Sequence, residues 1–337
     1  MKSFLLRYWF LIGLVLVIIL ASVVPWIGAR GGPLHPQLTV HLAVAGAFLI
    51  GGLTLPLAQL RAAAGHLRLH AFIQLFCFVV IPVLVWLALP LITQCGASPA
   101  IAQGFMALAC LPITIASCVI FTRAAGGNEA GALCNSVLGN LLGLIITPAL
   151  LLLLLGIHGD APMTDVFKQL SVEVLLPLTI GQLTRILAGE RAVVFERLRQ
   201  IPSMFLLYLI FCVFCATFSA ATTADTGRNI VVTICAATIL HGTLLGLSWW
   251  LSGLTFLGFT RADRIAALLC STQKTIALGV PLLSILYEHH PQLAWLTLPL
   301  VCYHPLQLVV GGILAARFRA TAPVVGTVVG NTGAINA

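Results

Sequence analysis

Apolar residues run along this chain in blocks of about twenty, separated by short polar stretches, with neither the two-residue alternation of a half-buried strand nor a single apolar helical stripe. A block of that length crosses the hydrocarbon core of a bilayer as one α-helix. Ten are legible, beginning near Tyr8, Thr39, Leu69, Ala100, Asn128, Asp165, Ser203, Asn229, Asp263 and Leu293. The expected fold class is an all-α polytopic membrane protein with ten transmembrane helices. The first block follows Lys2 and Arg7 as a signal peptide would, yet its apolar run continues to Ile27 without a small-residue cleavage site, so it reads as a retained span.

Composition agrees with the pattern. Of 337 residues 60% are hydrophobic and 8% charged, and the mean hydropathy is +1.09, which excludes an ordinary soluble domain. The net charge of +8 would suit nucleic acid, but the position of the charges assigns them another role. With a cytoplasmic N-terminus, Arg61, Arg68, Arg123, Arg185, Arg261, Arg264, Arg317 and Arg319 all fall at cytoplasmic helix ends, and only Arg30 and Arg228 fall clearly outside. That asymmetry predicts both termini in the cytoplasm of a multi-pass plasma-membrane protein, in a bacterium the inner membrane, surrounded by lipid and without a nucleic-acid partner. Nine of the ten cysteines lie within spans and Cys95 at a helix end, so they read as packing residues rather than a disulfide framework. Cys212 and Cys215 lie one turn apart but lack a second pair to complete four metal ligands, so neither a metal nor a cofactor is expected.

The longest polar interruption, Ala188 to Met204, is either a solvated connector or a surface helix with Val193, Val194, Leu198 and Ile201 on one face. The small, uncharged stretch 320–337 reads as a disordered cytoplasmic tail. The starts at Tyr8 and Asp165 are 157 positions apart, and those at Leu69 and Asn229 are 160 apart. This spacing divides the chain into a first five-helix repeat, 1–156, and a second, 157–319. Five is odd, so the second repeat enters the membrane from the opposite side and the two are inverted.

Two spans are interrupted at matching depth. In the fourth, Pro112 stands mid-membrane and is followed by Thr114, Ser117 and Cys118; in the ninth, Cys270, Ser271, Thr272, Gln273, Lys274 and Thr275 precede Gly279 and Pro281. Proline removes a backbone donor and strains the preceding turn, so the carbonyls there need other partners. Paired interruptions in the halves of a membrane protein point to a midplane binding site, the alternative being two kinks satisfied by neighbouring hydroxyls. Lys274 favours the site. A lysine at the bilayer centre costs about 3 kcal/mol on insertion scales and requires a wet cavity or a partner. It is either a proton-exchanging group or a charge held by a carboxylate. Glu173 is the one acidic residue well inside a span, and it reads as counter-ion to Lys274, as a separate proton carrier, or as a protonated group near a helix end. Gln74, Asn135, Asn140, His241, His304 and Gln307 are further polar residues within spans. Ser136 follows the fourth-span break closely enough to offer a hydroxyl to the same site.

At these residues the sequence resembles a known family. "HLRLHAFIQLF", "LPITIASCVIFTRAAGGNEAGALCNS", "CSTQKTIALGVPLL" and "YHPLQLVVGG" are similar to the SBF-like branch of the bile acid:sodium symporter superfamily, over nearly the whole chain. The resemblance implies a core domain in which broken helices 4 and 9 cross at the midplane, a panel domain of helices 1, 2, 6 and 7, and a substrate crevice between them. It also implies where sodium ligands would stand. Ser117 and Ser136 match hydroxyl ligands, whereas Cys118 replaces an asparagine, Cys270 a glutamate and Lys274 a glutamine. A thiol and an ammonium destroy the oxygen coordination that a hard cation needs.

The expected function is secondary active transport of a small anionic organic solute by alternating access, proton-coupled or uncoupled, with Lys274 in place of a sodium ligand. Its candidate site is Thr114, Ser117, Cys118, Ser136, Cys270, Ser271, Gln273 and Lys274, with Gln74, Asn135, His304 and Gln307 accessory. Sodium-coupled symport of an organic anion is the alternative. A non-transporting regulator of calcium homeostasis is another, although no acidic cluster exists to bind calcium. No HExxH, GxSxG or paired acidic metal motif occurs, so an intramembrane enzyme lacks its residues.

Overall fold

Why a helix stops is answered twice in the middle of this fold, and both answers fall where the sequence carries its odd polar residues. The computed structural model describes residues 2–54, 66–155, 168, 171–198, 200–220, 226–287 and 292–321. Among these every regular element is a helix. The order is α1 (Lys2–Val23), the single turn α2 (Pro25–Gly28) and α3 (Pro36–Thr54). Then α4 (Leu67–Leu75) passes through a π-turn at Phe76–Val80 into α5 (Ile81–Gln94), followed by α6 (Pro99–Cys110), α7 (Ile115–Ala124) and α8 (Glu129–Leu155). A second π-turn, Ser171–Leu175, leads into α9 (Leu176–Ala188). A 3₁₀ segment, Gly189–Leu198, precedes α10 (Ile201–Ala220) and α11 (Thr226–Leu251), and α12 (Arg261–Thr272), α13 (Ile276–Leu286) and α14 (Leu293–Ala320) complete the chain.

Six described helices are long and apolar enough to cross a membrane: Pro36–Thr54, Leu67–Gln94, Glu129–Leu154, Ser171–Ala188, Gly227–Leu251 and Leu293–Ala320. Others, including α6, α7 and α13, are apolar but shorter. Their outward faces carry Trp86, Leu91, Leu153, Leu187 and Ile239, all exposed, as expected where lipid rather than water is the neighbour. The protein is a multi-pass membrane protein. The helical segments start within six residues of the positions read from the sequence; Asp165 itself lies outside the described residues. Of the two readings of the stretch after Ala188, a connector or a surface helix reaching Ile201, a single surface α-helix is not what forms. Gly189 adopts a φ of +54°, which ends α9, and the tighter 3₁₀ segment stops before Ile201, which begins α10 instead. The tail from 322 onward lies outside the described residues.

Local signals set several boundaries. Ser98 caps α6 by accepting from the Ile101 amide at 3.4 Å, with Pro99 in the first turn, where its missing N–H is not needed. A capping box in which Thr260 and Asp263 bond reciprocally starts α12, and the Thr275 hydroxyl accepts from the Ala277 amide to start α13.

Helices α3 and α9 run side by side with very close backbones. A Cβ on Gly52 would stand 2.2 Å from the Leu178 carbonyl oxygen, and one on Gly181 would stand 2.1 Å from that of Leu49. Only glycine fits there, the small-residue solution to helix packing in lipid. Gly104 of α6 plays the same part against α14, where a Cβ would meet the Leu296 carbonyl oxygen at 2.3 Å. The main core cluster joins α6, α10, α13 and α14, and a second packs α4 and its π-turn against α8 and α12.

Gly181→Ala is expected to destabilise the protein by about 1–3 kcal/mol, because the helices must part to admit the methyl group. Gly51→Ala, facing open space, is the control. Thermal unfolding in one detergent, with a lowered Tm for the first and an unchanged Tm for the second, checks this.

Candidate functional site

The two interrupted helices meet at their breaks. After Cys110 the backbone of Leu111 and Thr114 is extended, with ψ of 149° and 135°, and after Thr272 so is that of Gln273 and Thr275, with ψ of 122° and 125°. The two short segments pair antiparallel at Ile113 and Lys274. The Thr275 amide donates to the Pro112 carbonyl at 3.0 Å and the Thr114 amide to that of Gln273 at 3.4 Å.

Unwinding a helix in an apolar interior strands its carbonyls, each of which must find a donor. Along the first break every one does. Ala109 and Leu111 accept from the Lys274 ammonium, Cys110 from the Thr147 hydroxyl at 2.8 Å, Pro112 from the Thr275 amide and Ile113 from the Asn140 amide side chain at 2.6 Å. Along the second, Tyr303 donates its hydroxyl to the Thr272 carbonyl at 2.7 Å, and Tyr303 in turn bonds His241 at 2.8 Å. Gln307 brackets Lys274 like a strand partner: its Oε1 accepts from the Lys274 amide and its Nε2 donates to the Lys274 carbonyl, both at 2.8 Å. His304 Nδ1 lies 3.1 Å from that Nε2 and so takes the acceptor role.

Lys274 is 1% exposed. Its Nζ donates to the carbonyls of Cys77 (3.0 Å), Ala109 (2.9 Å) and Leu111 (2.7 Å), with the Cys77 sulfur at 3.2 Å. Three carbonyl acceptors use three N–H donors, which the ammonium form has and the neutral amine lacks. Two of the three belong to the C-terminal end of α6, where the helix dipole is negative. The third, from Cys77, lies in the π-turn of Phe76–Val80, whose widened bonding lets a carbonyl in mid-helix reach outside its own ladder. The ammonium thus occupies a cage of main-chain oxygens of the kind that would hold a bare cation.

The other candidates arrange around this cage. The Ser117 hydroxyl donates to Gln273 Oε1 at 2.5 Å and lies 3.3 Å from the Thr114 hydroxyl. Cys118 points its thiol at the Leu269 carbonyl, 3.5 Å away, beside Cys270 and Ser136. Ser136 donates back to the Ala132 carbonyl at 2.8 Å, and Ser271 bonds Ser248 at 2.8 Å. Gln74 donates to the carbonyl of Asn135 at 3.1 Å. Gly311 gives Gln273 its room, since a Cβ there would stand 2.7 Å from Gln273 Nε2. Glu173 does not join them. It bonds His41 Nδ1 at 2.9 Å, so the reading of Glu173 as counter-ion to Lys274 is corrected. Main-chain dipoles satisfy the ammonium, and a carboxylate is not needed. Cys77, Thr147 and Tyr303 escaped the sequence reading. Cys77 and Thr147 act on or through backbone carbonyls whose availability depends on helix geometry, and only Tyr303, beside the "YHPLQ" motif, left a trace.

Next to the crossing is a cavity of about 150 Å³. Phe48 of α3, Leu178 of α9 and Leu206 of α10 line one side, with Ile115, Asn140 and Ala277 on the other. Ile115 is the first residue of α7 and Ala277 the second of α13. Two helix N-termini, with their positive dipole ends, therefore border a largely apolar space, and at one of them the Ala277 amide is already bonded to the Thr275 hydroxyl.

The chain matches the SBF-like CPA transporter family (DUF4137) over residues 8–320. Among similar proteins, Sodium/bile acid cotransporter 7 of Danio rerio is 36% identical over 318 residues, covering 93% of this chain and 94% of the relative. Sodium/bile acid cotransporter 7 of Rattus norvegicus is 36% identical over 319 residues, covering 93% of each. Putative symporter YfeH of Escherichia coli (strain K12) is 28% identical over 327 residues, covering 95% of each.

Lys274→Met takes the ammonium donor from three buried carbonyls at once, of which only Leu111 keeps a weak partner in the Cys77 thiol, at about 1–3 kcal/mol for each unsatisfied group, whereas Tyr303→Phe takes the hydroxyl from the Thr272 carbonyl and from His241. Thermal unfolding at fixed pH and salt is expected to rank the first loss above the second.

Proposed function

We propose, for a chain that belongs to the SBF-like CPA transporter family, that it moves a small anionic organic solute across the membrane by alternating access, with the Lys274 ammonium standing in for a coupling cation. That it is a transporter and not an enzyme follows from the family. The observation that carries the finer reading is the caged ammonium, held by three main-chain oxygens and, among the described residues, bonded to no carboxylate.

The reading takes the chain as ten spans in two inverted five-helix repeats, 1–156 and 157–319, with both termini cytoplasmic. Helices α6, α7, α12 and α13 form the crossing of a core domain; α1, α3, α9 and α10 form the panel. The cavity lies between these two sets, which is where a solute is exposed to one side or the other as they shift. Its two helix N-termini favour a negative group, and its apolar walls favour a hydrocarbon or ring beside it. Sodium is not required, because the position where an oxygen ligand would meet it carries a positive charge of its own. Transport is then proton-coupled or uncoupled.

Sodium coupling is the second reading, favoured by the names of the cotransporter 7 relatives. The calcium-regulator reading gains no support, since among the described residues no group of three His, Cys, Asp or Glu stands ready to hold a metal.

Uptake into proteoliposomes of a set of organic anions, from small carboxylates and sulfonates to a bile acid, tests the proposal. Uptake of at least one is expected to be undiminished when potassium replaces sodium and to fall about tenfold or more in Lys274→Gln, the scale of a lost charge-assisted interaction. A strict sodium requirement would overturn it.

A further inference from the structure

A groove of about 530 Å³ lies between α5 and α6, away from the crossing and from the cavity beside it. Trp86, Leu89 and Pro90 of α5 line one wall and Pro99 and Ala102 of α6 the other, with Leu154 of α8 alongside. Trp86 and Leu87 are 55% and 66% exposed, and Leu153, next to Leu154, is 76% exposed. In a membrane protein these are surfaces that meet lipid, so the groove opens on the bilayer.

Two polar side chains enter this apolar lining, and they differ. Thr93 uses its hydroxyl within its own helix, donating to the carbonyls of Leu89 at 3.2 Å and Pro90 at 2.9 Å. Gln103, half-buried in the groove wall, bonds no group among the described residues. Its amide carries two N–H donors and an acceptor oxygen, and hydrocarbon offers them nothing. Gln74, Gln273 and Gln307, by contrast, each bond a neighbouring segment.

The depth of Gln103 identifies what it meets. The helical stretch Leu67–Gln94 has 28 residues, about 42 Å at 1.5 Å per residue. Centred on a hydrocarbon core of about 30 Å, it extends about 6 Å past the core at each end. Helix α6 starts at the membrane face where α5 ends, and Gln103 is its fifth residue, about 6 Å below its start. That is the boundary between hydrocarbon and headgroups, where a glycerophospholipid carries its ester carbonyls. Trp86, eight residues before the end of α5, lies about 12 Å down, beside the acyl chains. The groove therefore runs lengthwise from headgroup level into hydrocarbon. Spread over that length, its volume leaves a cross-section of roughly 45 Å², about half of what a helix 10–12 Å across fills. Slender chains enter it; a helix of a second copy does not.

From this geometry we infer that the groove between α5 and α6 binds one glycerophospholipid of the surrounding bilayer, with an acyl chain along Trp86, Pro90 and Ala102 and an ester carbonyl accepting a hydrogen bond from Gln103 Nε2. A lipid held there braces α6, whose other end carries the Ala109 and Leu111 carbonyls that hold Lys274. The site does not depend on the transporter reading above, and it is tested without any solute.

The test is native mass spectrometry of the delipidated full-length protein in detergent, titrated with dioleoyl phosphatidylethanolamine or with its ether-linked analogue, which has the same headgroup and chain length but no ester carbonyl. Wild type is expected to bind one molecule of the ester lipid about threefold to tenfold more tightly than the ether lipid, the scale of one hydrogen bond. Gln103→Leu is expected to lose that preference while binding the ether lipid as wild type does; if it does not fold, Gln103→Met is read in its place. Leu89→Trp, which fills the groove, is expected to weaken both lipids about tenfold. Equal binding of the two lipids by wild type, a preference that survives at position 103 without the amide, or binding indifferent to Leu89→Trp overturns the proposal. So does a protein dimer in the same spectra that Leu89→Trp disperses, which would assign the groove to a second copy.

Discussion

An ammonium held by three main-chain carbonyls is the contact on which the centre of this protein depends. Placing a lysine at mid-membrane costs about 3 kcal/mol on insertion scales, and unwinding two helices beside it strands carbonyls that each cost about 1–3 kcal/mol if unpaired. These two penalties offset each other. The carbonyls of Cys77, Ala109 and Leu111 satisfy the charge, and the charge satisfies them. Neither feature is stable without the other, so Lys274, the break after Cys110 and the π-turn at Phe76–Val80 form one unit.

The crossing also sorts charge. The C-terminal ends of α6 and α12 and the N-terminal ends of α7 and α13 converge there. The negative end of α6 holds the ammonium, while the positive ends of α7 and α13 border the cavity. The ammonium is thus retained inside the fold beside the negative end of α6, with no acidic side chain among the described residues bonded to it. Asn140, Thr147, Tyr303 and Gln307 complete the arrangement by supplying donors to the remaining carbonyls. Gln307 in particular fixes the orientation of Lys274 by bonding both its amide and its carbonyl.

Much of this was legible in the sequence because the membrane makes hydrophobic blocks and their exceptions conspicuous. The helix starts, the break at Pro112, the polar run from Cys270 to Thr275 and the odd lysine could all be read directly. The partner of that lysine could not. Sequence reasoning looks for an opposite charge, and Glu173 was the available one; the structure instead uses backbone carbonyls, which every residue carries and no pattern marks. The pairing of Glu173 with His41 was hidden for a related reason. It needs α3 and α9 to run parallel in close contact, a long-range fact carried by Gly52 and Gly181, and single glycines among the thirty in this chain do not announce which of them is a crossing point.

The claim that Lys274 fills a cation cage is tested most directly by the thermal stability of the purified protein in sodium against potassium at equal ionic strength, for wild type and Lys274→Gln. A ligand that binds only the folded state raises stability with the logarithm of its concentration over its Kd. The wild type is predicted to unfold at the same temperature in both salts, because the cage is already filled by the ammonium. A sodium-specific rise in the wild type would mean that a vacant cation site exists and that Lys274 does not take the place of the ion.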